Sequence, residues 1–179
     1  PELVVVTGMS GAGKSTAARA LEDLGWFVID NLPPQLLADA VGASPSHPGS
    51  VGLAVVVDAR GGHLFPELGA AVGRLRFEGV DVRTLFLEAS DEALVRRFES
   101  SRRPHPLQDG GRILQGVERE RELLADLWAE ADLVVDTITH QLRVEGREVS
   151  LERRRALEPL VVQLLRRARE GLSAEEILR

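Results

Sequence analysis

Residues Gly8 to Ser15 have the types and the spacing of a loop that binds phosphate groups. They read Gly-Met-Ser-Gly-Ala-Gly-Lys-Ser and satisfy the pattern G-x-x-x-x-G-K-[ST] at every fixed position. In such a loop the glycines let backbone N–H groups approach phosphate oxygens, and the lysine ammonium lies over the β- and γ-phosphates. The sequence therefore predicts a site for the phosphates of a nucleoside triphosphate, ATP or GTP, with Mg²⁺ as its metal.

The predicted phosphate site consists of nine consecutive residues: Gly8, Met9, Ser10, Gly11, Ala12, Gly13, Lys14, Ser15 and Thr16. We expect Lys14 to act on the transferring phosphate as well as to bind it. Ser15 is expected to bind Mg²⁺ through its hydroxyl, and Thr16 to contact the α-phosphate. Lys14 is also the single lysine among the 22 basic residues of the chain. A glycine-rich turn without a ligand is the alternative, but an apolar run before it and a helical pattern after it favour the phosphate site.

Two aspartates follow predicted strands and are candidates for metal binding or catalysis. Asp58 ends the apolar run 53–57 and is predicted to hold Mg²⁺ directly or through water, with a plain turn residue as the alternative. Asp30 ends the second run, at the edge where α/β sheets bind ligands. As a catalytic residue it would bind metal, orient water or accept a proton from a substrate hydroxyl. Equally, Asp30 or Asn31 would cap the helix that follows.

Four arginines follow the predicted fourth strand: Arg96, Arg97, Arg102 and Arg103. A lid at this position could bring guanidinium groups over the phosphates, where they neutralise charge during phosphoryl transfer. We expect Arg102 and Arg103 to do so, because they lie where the helix gives way to a loop. A solvated helix face, with pairs such as Glu92 with Arg96, is the alternative. His105, between two prolines, is predicted to be structural or on the surface rather than a catalytic base.

Five apolar runs alternate with helical patterns and are predicted as strands: residues 3–7, 26–29, 53–57, 82–87 and 133–135. Runs this apolar are typical of parallel strands that are buried on both faces. The alternation predicts an α/β fold, a three-layer, doubly wound sheet of five parallel strands. We assign residues 1–143 to this domain. Residues 144–179 are predicted as a helical extension of it or as the start of a truncated segment. An amphipathic helix over 151–168 would offer an apolar face for a homo-oligomer.

The composition excludes several classes of protein. The chain contains no cysteine, which rules out disulfides and thiolate metal sites. No apolar run reaches the length of a membrane-spanning helix and no signal-peptide pattern is present, so we expect a cytoplasmic protein that does not enter a membrane. The net charge of −6 argues against a broad nucleic-acid-binding face on this domain.

Several stretches, in order along residues 1–143, together resemble one family. They are residues 8–16, 20–25, 30–34, 57–60, 86–91, 102–107, 120–124, 131–137 and 140–143. The chain resembles the amino-terminal domain of the RapZ/YvcJ family of bacterial nucleotide-binding proteins, and the segments 30–34 and 102–107 are the most specific part of the match. The resemblance implies a kinase-like P-loop domain that binds ATP or GTP and hydrolyses it slowly.

The resemblance also implies partners for a longer protein. Characterised family members are RNase adapters that link small RNAs to amino-sugar metabolism. Their RNA-binding and protein-binding functions would reside in a carboxy-terminal domain that this chain is expected to lack.

Three functions remain compatible with these residues. The first is a regulatory nucleotide-binding domain with weak NTPase activity, the second a small-molecule or nucleotide kinase, and the third a nucleotide sensor without turnover. The first two use the same electrostatics of phosphoryl transfer. A closed acceptor pocket between Asp30 and the arginines would favour a kinase.

Overall fold

A computed structural model describes residues 2–43, 51–58, 65–139, 141–144 and 147–150 of the chain. Its strands are β1 (Glu2–Gly8), β2 (Phe27–Ile29), β3 (Leu53–Val56), β4 (Asp81–Glu88), β5 (Leu133–Asp136), β6 (Gln141–Val144) and β7 (Arg147–Ser150). Its helices are α1 (Lys14–Asp23), α2 (Leu37–Ala43), α3 (Phe65–Phe77), α4 (Asp91–Ser101), α5 (Ile113–Leu123) and α6 (Ala125–Glu130), and a 3-10 helix (Pro34–Leu36) precedes α2. The helix predicted over 151–168 lies outside the described residues.

The described strands form one sheet in the order β2-β3-β1-β4-β5-β6-β7. The strands from β2 to β5 in this order are parallel neighbours, and β5, β6 and β7 pair antiparallel. The predicted three-layer α/β fold with five parallel strands is therefore confirmed. The sheet has two strands more than predicted, and its last strand carries it beyond residue 143 to Ser150.

The added hairpin carries only a short sequence signal. Leu142 is buried while its neighbour Gln141 is exposed, an alternation over too few residues to separate a strand from other structures. The guanidinium of Arg143 lies 3.9 Å from the centre of the Trp128 ring. This cation–π contact attaches β6 to α6, and it depends on two elements that are separated in the sequence.

Helices cover both faces of the sheet. Val4 and Val6 of β1 pack in the same buried cluster as residues of α1, α4 and α5, whereas Leu3 and Val5 pack in a cluster with residues of α2 and α3. Successive side chains of a strand point to opposite faces, so a central strand can be apolar throughout. The loop after β1 begins at the carboxyl end of this central strand. The carboxyl ends of the parallel strands form the edge of the sheet where α/β folds bind ligands.

The helical segment that precedes β5 is divided in two. α5 ends at Leu123 and α6 begins at Ala125, while Leu124 between them is buried in the core. Within the described part of the chain, no helix is long and apolar enough to cross a membrane.

Candidate functional site

The predicted phosphate-binding loop leaves β1 at a position that glycine alone fits. Gly8 has a φ of 134°, and a Cβ atom there would lie 2.0 Å from the carbonyl oxygen of Leu87 in β4. The same carbonyl accepts a hydrogen bond from the backbone N–H of Met9 at 2.9 Å. At the other end of the loop, the N-cap residue of α1 is Gly13, which has no side chain to occupy the first N–H groups of the helix. The loop thus presents the positive end of α1 to an anion.

Lys14 lies against the loop that precedes it. Its Nζ donates to the carbonyl oxygens of Gly8 at 2.7 Å and of Met9 at 3.0 Å. The same ammonium lies 3.6 Å from Oδ1 of Asp58. The first turn of α1 and the end of β3 therefore place a cation and a carboxylate side by side at the base of the loop.

Asp58 reaches this position because β3 is the neighbour of β1. The backbone N–H of Val57 donates to the carbonyl of Val6 at 2.9 Å, which extends the pairing of the two strands up to the residue before Asp58. The carboxylate thus lies at the same edge of the sheet as Lys14. The sequence prediction rested on the position of Asp58 at the end of an apolar run, and its role in binding Mg²⁺ stays a prediction.

An open cavity of about 780 Å³ joins the loop to α4 and the segment after it. It is lined by Ser10, Gly11, Gly13, Lys14, Ser15, Asp58, Arg97, Phe98, Ser101, Arg103, Pro104 and Pro106. The lining combines the predicted phosphate and metal groups with two arginines, Arg97 and Arg103. A ligand with several negative charges matches this distribution.

The four arginines separate into two groups. Arg103 lines the cavity, and the guanidinium of Arg97 donates to the carbonyl oxygen of Gly11 in the loop. Among the described residues that line the cavity, Arg102 is absent; it is the exposed C-cap residue of α4, with a φ of 52°. Arg96 faces Glu92 on the solvent side, with its side chain 79% exposed.

Sequence reasoning thus favoured Arg102 over Arg97, and the structure brings Arg97 to the loop. Leu94 is fully buried, and both Leu94 and Phe98 lie within 4 Å of the position of a Cβ atom on Gly11. Arg97 is three residues after Leu94 and so lies on the same face of α4. The three-residue spacing between Leu94 and Arg97 was the signal in the sequence that could have identified Arg97.

Asp30 does not line the cavity in the described structure; it is an exposed turn residue after β2. β2 is separated from β1 by β3, which places Asp30 two strands away from the loop. Neither Asp30 nor Asn31 caps the helix that follows, because the N-cap residue of the 3-10 helix is Pro33, whose side chain has no hydrogen-bonding group. The predicted catalytic role of Asp30 stays a prediction.

Sequence reasoning missed a buried polar cluster beneath the loop. The carboxylate of Glu120, on α5, accepts hydrogen bonds from the backbone N–H and the hydroxyl of Ser10 at 2.9 and 2.7 Å, and lies 3.1 Å from Nε2 of His105. His105 is buried, as a structural residue would be. No pattern in the sequence pairs residue 10 with residue 120.

A second group of acidic residues lies where β4 and β5 end. Asp136 accepts hydrogen bonds from the N–H groups of Ile138 and Thr139, each at 2.8 Å, which is the geometry of a strand-ending turn. Burial raises the pKa of Glu88 above the usual range of a carboxyl, and the guanidinium of Arg121, 3.6 Å away, opposes this rise. Within the described ranges, no group of three or more histidine or acidic side chains could hold a metal ion by itself.

Comparisons with known proteins show the family and the fold of the chain. Residues 1–158 match the family described as the RapZ-like N-terminal domain. A nucleotide-binding protein of Thermobifida fusca is 58% identical over 149 residues, which cover 81% of this chain and 51% of that protein. One from Streptomyces avermitilis is 56% identical over 149 residues, covering 81% of this chain and 50% of that protein. The chain therefore spans about half the length of these curated relatives.

Solved structures share the fold at low sequence identity. Shikimate kinase from Acinetobacter baumannii, in complex with shikimate, has a TM-score of 0.60 at 13% identity and covers 95% of this chain and 94% of its own. Shikimate kinase from Bacteroides thetaiotaomicron has a TM-score of 0.56 at 15% identity, covering 94% and 98%. These similarities show that the chain shares the fold of these kinases, and they show nothing of the substrate. By the family match, the chain belongs to the RapZ-like N-terminal domain family.

Proposed function

We propose that this member of the RapZ-like N-terminal domain family binds ATP or GTP with Mg²⁺ in the cavity above the loop, hydrolyses it slowly, and serves as the nucleotide-responsive part of a regulatory protein. The observation that carries the proposal is the placement of Lys14 and Asp58, 3.6 Å apart, at the base of a loop whose glycine positions and following helix suit a phosphate group. The relatives that are more than half identical are named nucleotide-binding proteins, which supports the same ligand class.

The contacts of Lys14 fit a residue that changes partners when a phosphate enters. Its ammonium rests on two carbonyl oxygens of the loop and beside a carboxylate. A carbonyl oxygen carries only a partial charge, so a phosphate oxygen competes with it for the ammonium. The lysine can shift toward the ligand without losing its anchoring stem, which is buried.

The donor set also fits Mg²⁺. This ion prefers oxygen ligands and is usually held by one or two protein oxygens together with waters and substrate phosphates. The hydroxyl of Ser15 and the carboxylate of Asp58 both line the cavity and are oxygen ligands of this kind. When bound, the ion would neutralise charge on the β- and γ-phosphates.

Arg97 and Arg103 supply positive charge to the lining of the cavity. Preorganised guanidinium groups stabilise the negative charge that spreads over a transferring phosphoryl group. Arg97 is already held near the phosphates by its bond to Gly11. We assign the charge-stabilising role to these two arginines rather than to Arg102.

Hydrolysis is favoured over transfer to an acceptor because of the position of Asp30. A kinase needs a group that binds the acceptor hydroxyl close to the γ-phosphate. Asp30 is exposed and lies outside the lining of the cavity in the described structure. The kinase-like fold does not outweigh this, because fold does not determine the reaction.

The regulatory part of the proposal concerns the longer proteins to which this chain is related. The chain matches about half of each relative, and its net charge is −6, which disfavours the phosphate backbone of RNA. We place RNA and protein partners of the adapter type in the half of those proteins that this chain does not match.

The experiment that tests the proposed function is phosphate release from Mg-ATP and Mg-GTP, with and without a pool of small hydroxylated acceptors. Lys14→Met is the control, because methionine keeps the buried stem and removes the charge. We expect slow release that acceptors do not change and that the variant lacks. Nucleoside diphosphate formed only with an acceptor, without free phosphate, would show a kinase and overturn the proposal.

A further inference from the structure

Ser10, His105 and Glu120 form a buried polar cluster directly beneath the phosphate-binding loop. The side chain of Glu120 is 0% exposed, and His105 and Ser10 are 2% and 7% exposed. Oε2 of Glu120 lies 2.9 Å from the backbone nitrogen of Ser10 and 3.1 Å from Nε2 of His105, and its Oε1 lies 2.7 Å from the hydroxyl of Ser10. The cluster joins three parts of the chain: the loop, the segment after α4, and α5.

The hydrogen bonds of the cluster determine which ring nitrogen of His105 carries a proton. The backbone N–H of Leu107 donates to Nδ1 of His105 at 3.1 Å, so Nδ1 carries a lone pair. Nε2 then carries the ring proton and donates a hydrogen bond to Glu120. The carboxylate of Glu120 therefore accepts three hydrogen bonds and uses both oxygens.

Packing holds the imidazole in this orientation. Its ring meets the ring of Phe98 edge-on, with centroids 4.8 Å apart. On the other side α5 carries Gly116, where a Cβ atom would lie 2.6 Å from Nδ1 of His105. The backbone N–H of His105 donates to Oε1 of Gln108 at 3.1 Å. His105 is two residues after Arg103, and its contacts with Glu120 and Gly116 therefore attach the segment that bears Arg103 to α5.

A carboxylate is an unfavourable neighbour for a site that binds phosphates. Like charges repel, and a buried carboxylate also loses its hydration, so its presence requires a compensating gain. The compensating gain visible here is that the carboxylate fixes the position of the loop. Glu120 holds both the backbone and the side chain of the third residue of the loop, from a helix more than 100 positions away in the sequence.

We propose that Glu120 is a positioning residue, which, together with His105, keeps Ser10 and hence the phosphate-binding loop in its binding geometry and fastens the Arg103 segment against it. Glu120 acts through Ser10 and is not itself part of the cavity lining among the described residues. The inference rests on the proposed nucleotide site and names a second layer of residues on which that site depends.

Two substitutions separate the geometry of Glu120 from its charge. Glu120→Gln can keep every bond: the amide oxygen accepts from the N–H of Ser10 and from His105, and the amide N–H donates to the hydroxyl of Ser10, which can turn to accept. Glu120→Leu is similar in size and can make none of these bonds. Both variants remove the negative charge, and only Glu120→Gln keeps groups that can form the hydrogen bonds.

The readout is the Kd for Mg-ATP and Mg-GTP by calorimetry, on variants whose circular dichroism matches the wild type. We expect Glu120→Gln to stay within about three-fold of the wild type, and Glu120→Leu to bind about ten-fold more weakly or worse, since a misplaced loop contact of about 1.4 kcal/mol changes Kd ten-fold. Unchanged affinity in Glu120→Leu would overturn the inference. An equal loss in both variants would also overturn it, because the charge would then matter and not the geometry.

A second measurement keeps the inference testable if Glu120→Leu does not fold. Nitrogen NMR distinguishes a proton on Nε2 of His105 from one on Nδ1, and we expect the Nε2–H form in the wild type and in Glu120→Gln. Ser10→Ala should weaken binding, and it should do so equally in the wild-type and Glu120→Gln backgrounds, because glutamine keeps the bond to Ser10. Wild-type affinity in Ser10→Ala, or a proton on Nδ1 in the wild type, would contradict the cluster as described.

The same titration distinguishes failure of this inference from failure of the proposed function. A wild-type protein that binds nucleotide, with loss in Lys14→Met, supports the phosphate site whatever Glu120 does. Wild-type affinity in Glu120→Leu would then overturn the positioning role alone. A wild type that binds neither nucleotide would overturn both.

Discussion

Removal of the Lys14 ammonium is the perturbation whose consequence the structure defines best. In Lys14→Met the buried stem is retained, and the bonds of Nζ to the carbonyls of Gly8 and Met9, at 2.7 and 3.0 Å, are lost together with the contact to Asp58 at 3.6 Å. The fold should survive, because the loop keeps its glycine geometry and its tie to β4. The nucleotide would lose the cation nearest to its β- and γ-phosphates.

The magnitude follows from the two sets of contacts that the ammonium exchanges. Two unit charges about 4 Å apart attract by about 4 kcal/mol at an effective dielectric constant near 20. Giving up the two carbonyl bonds offsets about 0.5–1.5 kcal/mol for each. The net contribution of about 1–3 kcal/mol corresponds to an increase in Kd of about 5- to 150-fold.

The assay is calorimetric titration of Mg-ATP and Mg-GTP into the wild type, Lys14→Met and Arg96→Met. Arg96 is the matched control because its side chain is 79% exposed and faces Glu92 on the solvent side of α4. We expect Arg96→Met to bind like the wild type. A Kd in Lys14→Met within two-fold of the wild type, with the fold intact, would refute the reasoning.

Three further predictions concern the cavity and the acidic end of β4. Asp58→Asn should weaken binding more with Mg²⁺ than without it, because the amide is a poorer ligand for this ion; equal loss in both titrations would make Asp58 a turn residue. Arg97→Ala should lower the rate of phosphate release about ten-fold or more through loss of charge stabilisation. Arg96→Ala is the control and should keep the wild-type rate. Equal rates in the two variants would show that Arg97 does not act in the site. Burial raises the pKa of Glu88 in the folded state, so the folded protein binds the proton of this carboxyl more tightly than the unfolded chain does. The stability that this group contributes is therefore present at low pH. It is lost as the pH rises through the ordinary carboxyl pKa and then through the raised pKa. Glu88→Gln should therefore flatten this decline in chemical denaturation series at several pH values, and an unchanged slope would contradict the assignment.

Much of the fold could be predicted from local patterns. The apolar runs that became β1, β3 and β5 are buried on both faces, and β4 is buried from Leu85 to Leu87. Such runs are typical of parallel strands in a three-layer fold. β6 and β7 were missed because four residues carry too little periodicity. The boundary between α5 and α6 at Leu124 has no local signal, because no glycine or proline marks it.

The sequence by itself determined the loop that is predicted to bind phosphate, because every group in it comes from consecutive residues. Gly8 fits the close approach to β4, and Lys14 follows from the start of α1. Asp58 was also predictable, since a strand order common to α/β folds brings its strand beside β1. Local spacing is sufficient where the contacts are local or follow from sheet topology.

Only the tertiary structure decided which arginines meet the loop and what supports it from beneath. Arg97 and Arg102 differ by five positions, yet one bonds to Gly11 and the other is exposed at the C-cap of its helix. Glu120 meets Ser10 across 110 positions. A side chain's partners at such separations depend on how helices pack against the sheet, and packing is set by the summed fit of many residues. No short pattern in a single sequence carries that information.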